Sequence, residues 1–442
     1  MPESPPLPVA VIGAGPVGLA AAAHLVARGI EPLVLEAGDV PGATVRDWAH
    51  VRVFSPWAFN IDPVAANLLE AEGWQAPPAE AYPTGGEIVA RYLEPLAALP
   101  QLDRRIRYGS RVTAVTRVGI DKLKDAGRDE APFELIVDRD GAEQRILARA
   151  VIDASGTWTR PNPLGAGGVP AAGERAAADR IAYRIPDVLG RDRERYAGKR
   201  VMVAGTGHSA FNVLVDLVEL RKDAPDTEIV WAVRREAPGE KLGGGSADQL
   251  PARGALGETV RRLLDDGVIE LVTGFHTREI STRNERLELR DGARALVADE
   301  VIATTGFRPD LSLLSELRLD LDDRVEAPRE LAPLIDPNVH SCGSVPPHGV
   351  EELSHPDEGI YVVGMKSYGR APTFLLRTGY EQVRSVVAAL DGDWQAARQV
   401  ELVLPETGVC SSGITPSASE PAPAGAACCG AGSPHDEVAA PA

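Results

Sequence analysis

The 442-residue sequence predicts an α/β protein built from two Rossmann-like units, on three observations. A glycine-rich turn follows an apolar strand near the start of the chain, and a similar turn follows another strand near the middle. Each is trailed by a hairpin and by a strand that ends in a small, glycine-terminated bend. One supersecondary pattern used twice is the mark of a duplicated βαβ architecture.

In chain order, Val9-Ala10-Val11-Ile12 is a short apolar run of the kind a fully buried strand requires. Gly13-Ala14-Gly15-Pro16-Val17-Gly18 follows, then good helix formers from Leu19 to Arg28, with Gly29 as the stop. Leu33-Val34-Leu35 is the next strand and ends in Glu36 and Ala37. In such a turn Gly13 permits the tight bend, Gly15 admits a pyrophosphate to the backbone, and Gly18 lets helix and strand pack closely. The helix N-terminus, opened by Pro16, offers free N–H groups and partial positive charge, and Glu36 is placed to accept hydrogen bonds from a ribose. Leu135-Ile136-Val137 then passes through Asp138-Arg139-Asp140-Gly141 to a returning strand and on to Val151-Ile152-Asp153-Ala154-Ser155-Gly156.

The second unit repeats the layout with informative changes. Arg200 to Ala204 is the strand, Gly205-Thr206-Gly207-His208-Ser209-Ala210 the turn, and Phe211 to Leu220 has apolar residues at helical spacing. Ala210 replaces the third glycine and is small enough to keep close packing. The following strand, Glu228 to Val233, ends in Arg234-Arg235 where a ribose-binding acid would stand, and two guanidiniums there suit the 2′-phosphate of NADPH. Leu287-Glu288-Leu289 leads through Asp291-Gly292 to a returning strand and to Val301-Ile302-Ala303-Thr304-Thr305-Gly306. The expected division is residues 1–165 and 306–392 for the first nucleotide unit, 166–305 for the second with its linkers, and a tail over 393–442. Beyond Pro405 the tail is mostly Pro, Gly, Ala, Ser and Thr, a composition that buries too little apolar surface to offset ordering entropy.

Composition narrows the function classes. Asp plus Glu number 64 against 46 Lys plus Arg, a formal charge of −18 that disfavours nucleic acid or anionic lipid as partner. No apolar run reaches the roughly 18 residues of a membrane helix, and the start lacks the layout of a signal peptide, so a cytoplasmic location is expected. The four cysteines are Cys342, Cys410, Cys428 and Cys429, with no C-x-x-C pair. Three lie in the tail, and the adjacent thiols of Cys428 and Cys429, with Cys410, make a soft-ligand set for a thiophilic metalloid or a shuttling redox pair.

These motifs resemble those of the two-dinucleotide-binding flavoproteins, specifically the flavin-dependent monooxygenase-like group that uses FAD and NADPH. Besides the two turns, the resemblance rests on Ala303-Thr304-Thr305-Gly306-Phe307-Arg308-Pro309-Asp310 and on Gly359-Ile360-Tyr361-Val362-Val363-Gly364, and it covers about residues 7 to 392. It implies that Val112 meets adenine through its backbone, that Gly364 and Met365 lie near the flavin, and that His50 to Asn60 with Trp48 line its re-face. Arg46 and Asn60 are stand-ins for a missing polar group, because Phe54-Ser55-Pro56 replaces the Asn-Ser-Pro-like element of animal-type enzymes. Tyr368, with Lys366 and Arg370, either faces substrate or covers the ring. The Baeyer–Villiger histidine between the units is absent, since no histidine lies between His50 and His208. A narrower resemblance, to flavoproteins of bacterial arsenic-resistance operons, rests on Trp158 to Gly165, the Gly-His-Ser-Ala turn and the Cys-Cys tail. The implied activity is oxygenation of a soft nucleophile, a trivalent arsenical or a sulfur or nitrogen compound, by dioxygen through a flavin C4a-peroxide. An oxidase, a thiol-linked reductase using the tail cysteines, and a non-enzymatic redox or metalloid-binding protein stay open, and a homodimer is common among similar flavoproteins.

Overall fold

A computed structural model describes residues 6–236, 250–339, 345–371, 374–399 and 402. The apolar run Val9–Ile12 forms the middle strand of a five-stranded parallel sheet and is buried at every position. The sheet order is Ile360–Val362, Ala150–Asp153, Val9–Ile12, Pro32–Leu35, Ile106–Arg107. Val9 stands opposite Pro32 on one side and Ala150 on the other, so the turns after Ile12 and Asp153 open at the same carboxyl edge. A strand near residue 360 thus pairs with one near residue 150.

The intervening chain builds a second parallel sheet in the order Glu270–Val272, Glu228–Ala232, Arg200–Ala204, Glu300–Ala303, Ile181–Ala182. Each parallel sheet is accompanied by a three-stranded antiparallel sheet. One comprises Arg111–Arg117, Phe133–Arg139 and Ala142–Ala148; the other Glu279–Arg283, Arg286–Arg290 and Ala295–Ala298. The hairpin pattern read from the sequence is therefore present in both halves, with Asp140 and Gly141 both at positive φ in the first.

Two helices pack across the first sheet, Pro16–Ala27 and Leu376–Leu390, and glycine sets their distance. A Cβ on Gly379 would lie 2.7 Å from the Val17 side chain and 2.9 Å from Phe374. The two crossings between the halves run side by side as a short antiparallel ribbon. Asn162 N donates to Gly306 O at 2.9 Å and Arg308 N to Arg160 O at 3.0 Å. Trp158 stacks on Phe307 across this ribbon with ring centroids 5.0 Å apart, and its Nε1 donates to Asp47 at 2.7 Å. No helix among the described residues is long and apolar enough to cross a membrane.

Candidate functional site: two facing nucleotide cradles

The first cradle has the steric logic its glycines suggested. Gly13 sits at φ +100°, where a Cβ would lie 3.0 Å from Ala154 O, and a Cβ on Gly18 would meet Gly13 O at 1.9 Å. A Cβ on Gly15, by contrast, would meet nothing within 4 Å. The middle glycine therefore faces open space at the N-terminus of Pro16–Ala27, where a phosphate can approach the backbone. Glu36 is nearly buried and closes the turn by accepting from Ala14 N at 2.6 Å and Gly38 N at 2.7 Å. Ala37 beside it is exposed. Gly156, at φ +69°, also has open space where a Cβ would stand. Val112 lies in the adjoining antiparallel sheet, at the start of a register shift opposite Val137.

The second cradle repeats the arrangement. Gly205 at φ +135° would bring a Cβ within 2.4 Å of Thr304 O, Gly207 again faces open space, and Ala210 is fully buried. Thr206 and Ser209 are half-buried around Gly207, and helix His208–Asp223 begins there. Trp231 Nε1 holds the Gly205 carbonyl at 2.7 Å. Arg234 and Arg235 are exposed at the end of the next strand. Thr305 donates its hydroxyl to Asn162 O, and Gly306 has positive φ in the crossing ribbon. Both cradles thus leave room, at the one glycine where room matters, for a dinucleotide pyrophosphate.

The two cradles meet through aromatic rings. Phe54 lies 5.1 Å from the His208 ring, His208 lies 5.7 Å from Phe211, and Phe211 lies 5.9 Å from Trp231. The ladder runs from a loop of the first half into the core of the second.

Four of the anticipated site residues are engaged in contacts within the protein. Asn60 is 2 % exposed; its carboxamide donates to Ser55 O and Pro56 O, both at 2.8 Å, and accepts from the Ser55 hydroxyl. It locks its own turn and has no donor left for a ligand. Tyr368 is 2 % exposed, packed edge-on to Phe374 and near His348, and burial pushes its hydroxyl pKa well up. Arg46 forms a surface ion pair with Glu94. Trp48 covers Gly85, where a Cβ would stand 2.5 Å from its ring. Of the residues placed near the flavin by resemblance, Gly364 has φ +70° and donates its N–H to Gln382 Oε1 at 2.7 Å, and Met365 is half-buried beside it. Cys342, Cys410, Cys428 and Cys429 lie outside the described residues.

Sequence reasoning missed a buried ion pair between the cradle loops. Lys366 Nζ lies 2.7 Å from Asp153 Oδ2 and 3.0 Å from Ser155 Oγ, with side-chain exposures of 1 % for Lys366 and 0 % for Asp153. Asp153 Oδ1 accepts from Ser155 N at 3.1 Å and Ser155 Oγ at 2.6 Å. A signal was available: Asp153 is a carboxylate ending an otherwise apolar strand. Nearby, Asp310 is opposed by burial, yet Ser312 hydrogen bonds and the charges of Arg160 and Lys366 hold its carboxyl below the usual range.

Residues 10–330 match the family described as pyridine nucleotide-disulphide oxidoreductase. The chain belongs to this family. It is a family of FAD-binding oxidoreductases, in keeping with the two cradles. Among curated relatives, indole-3-pyruvate monooxygenase YUCCA1 of Oryza sativa subsp. japonica is 31% identical over 53% of this chain and 50% of its own length. A ferredoxin–NADP reductase of Salinispora arenicola is 29% identical over 72% of this chain and 79% of its own. The chain spans about half the length of YUCCA1 and of flavin-containing monooxygenase ustF1 of Aspergillus flavus. Among solved structures, bacillithiol disulfide reductase Bdr of Bacillus cereus superposes with TM-score 0.64 at 20% identity, covering 87% of this chain and 99% of that one. A flavin-containing monooxygenase of Stenotrophomonas maltophilia superposes with TM-score 0.57 at 22% identity, covering 87% and 98%. At these identities the two superpositions speak to the fold.

Proposed function

We propose that the protein is an NADPH-dependent flavin monooxygenase that oxygenates a soft nucleophilic centre in a small molecule, a trivalent arsenical or a sulfur or nitrogen compound. The observation that carries this reading is the pair of matched cradles, joined by the Phe54–His208 contact. Monooxygenases among the curated relatives support the choice of reaction. When bound, the flavin supplies two-electron transfer and reaction with dioxygen.

The protein's own part is to hold and orient. The Gly15 turn and the helix N-terminus behind it take the FAD pyrophosphate, Glu36 the ribose, and the Val112 backbone the adenine. The Gly207 turn takes the pyrophosphate of NADPH, and Arg234 and Arg235 its 2′-phosphate, a charge-assisted contact that NADH cannot make. Phe54 and His208 make the aromatic contact between the two cradles.

Anaerobic mixing of the purified protein with NADPH or NADH, then with oxygen and substrate, tests the reading. Rapid flavin bleaching that prefers NADPH, followed by product formed in step with NADPH consumed, is the expected result. Hydrogen peroxide equal to NADPH with every substrate offered would make it an oxidase. The family description favours one second reading, a reductase passing electrons to Cys428 and Cys429. Replacing both cysteines by serine abolishes turnover in that case and leaves a monooxygenase running.

A further inference from the structure

Beyond the carboxyl edges of the two parallel sheets, Arg308 and Arg370 reach toward the same loop. Arg308 follows the bend after Glu300–Ala303, and Arg370 follows the turn after Ile360–Val362. They converge although 62 residues separate them. The Nη2 atoms of both lie 3.7 Å from the point where a Cβ on Gly168 would stand. In doubly wound folds the crevice at the strand carboxyl ends is where ligands bind.

The convergence is held in place from several sides. Glu174, 1 % exposed, accepts from Leu164 N, Gly165 N, Ala171 N and the Tyr183 hydroxyl, so the loop carrying Gly168 is fixed at its base. Arg308 donates from Nε to Asn162 Oδ1 at 2.8 Å and from Nη2 to Gly168 O at 3.2 Å. Those contacts aim the guanidinium without neutralising it, because both acceptors are uncharged. Arg370 is 40 % exposed and reaches Glu326 only at 3.4 Å through Nη1. The nearby Asp310 pairs with Arg160 at 3.2 Å. Among the described residues, Arg308 has no carboxylate partner, and Nη2 of Arg370 has no hydrogen-bond partner. Two like charges brought together with one carboxylate between them leave a local positive excess on a chain whose formal charge is −18. Guanidinium forks match the geometry of planar oxyanions, and an anion between them relieves their mutual repulsion.

We infer that Arg308 and Arg370 form the anion-recognising element of the substrate site, and that the substrate carries a carboxylate or an equivalent oxyanion. This rests on the flavin monooxygenase reading for the word substrate. It narrows the soft nucleophiles of that reading to ones bearing such a group, and disfavours free arsenous acid, which is uncharged at neutral pH.

The test uses the full chain in its FAD-loaded form and reads binding by calorimetry, which does not depend on turnover. The probes are phenylpyruvate and phenylacetone, which share a benzyl ketone frame and differ in having a carboxylate or a methyl group on the carbonyl. The expected result is phenylpyruvate binding about tenfold or more tightly, the preference lost in Arg308→Gln and in Arg370→Gln. Arg308→Lys keeps the charge without the fork and should retain part of the preference, which separates lost recognition from a damaged fold. Equal affinity for the two probes would overturn the inference. So would failure of both phenylpyruvate and inorganic phosphate to bind at millimolar concentration. NADP⁺ is titrated alongside: if the glutamine variants weaken NADP⁺ and leave phenylpyruvate untouched, the arginines serve the nucleotide and the inference falls. Loss of NADPH-driven flavin bleaching in the unaltered protein would sink the monooxygenase reading instead, while the probe titrations still decide about the arginines.

Discussion

Breaking the Lys366–Asp153 pair should reveal how the first cradle is held open. Lys366→Met leaves the Asp153 carboxylate fully buried without its counter-ion. Removal of one partner from a buried pair costs about 3–5 kcal/mol. Asp153 keeps two hydrogen bonds from Ser155, at 3.1 and 2.6 Å, which places the loss at the low end, about 3 kcal/mol. Asp153→Leu strands the ammonium with only the Ser155 hydroxyl and should cost at least as much. The double variant Asp153→Leu with Lys366→Met replaces both charges by apolar groups and should return to within about 1 kcal/mol of the parent. Urea unfolding of the four proteins measures the cycle, and flavin content after gel filtration measures its consequence. The pair joins the Ala154–Gly156 bend to the turn beginning at Gly364, so each single variant should hold less FAD and the double should regain it. Additive losses, with a coupling under about 0.5 kcal/mol, would show that the charges act independently and refute the reasoning.

Three further outcomes follow from the same geometry. Gly15→Val should fold with an ordinary melting temperature but lose FAD, since its side chain enters open space, whereas Gly18→Ala should yield little folded protein, its Cβ lying 1.9 Å from Gly13 O; soluble expression and flavin absorbance distinguish them. Arg234→Ala with Arg235→Ala should cut the NADPH-over-NADH preference by about tenfold or more in flavin-reduction rate per concentration, one charge-assisted phosphate contact being worth on the order of 1.4 kcal/mol. Burial lowers the His355 pKa to about 4. The unfolded chain therefore binds a proton there that the folded chain does not between roughly pH 6.5 and 4, and stability should fall across that window by up to about 3 kcal/mol as pH drops. His355→Gln should flatten that part of the stability curve in urea titrations.

Much of the architecture could be read from residues alone because glycine positions carry steric information. Gly18 and Gly205 sit where a Cβ would collide with backbone, Gly13 where it would lie tight against Ala154 O, and Gly15 and Gly207 where it would meet nothing within 4 Å. The strands and hairpins around them follow from apolar runs and Asp-Gly turns, which are local signals. Individual side chains were less legible because their partners are distant in sequence. Asn60 and Tyr368 look like active-site groups by type, yet the first is consumed by a turn five residues back and the second by core packing. Lys366 and Asp153 lie 213 positions apart, and no periodicity links them. Arg308 stands in a legible motif, but its approach to Arg370 depends on the Gly168 loop and its buried Glu174.

The crossing ribbon of residues 160–162 and 306–308 has a consequence for how such a chain can be rebuilt. The segment between the crossings enters and leaves within one hydrogen bond's reach, Asn162 N to Gly306 O at 2.9 Å. A stretch with adjoining ends can be exchanged as a cassette, because the host sees the same short gap whichever segment fills it. Recombination at this doorway would exchange the second cradle together with the Gly168 loop, while Arg370 and the rest of the first half keep their sequence.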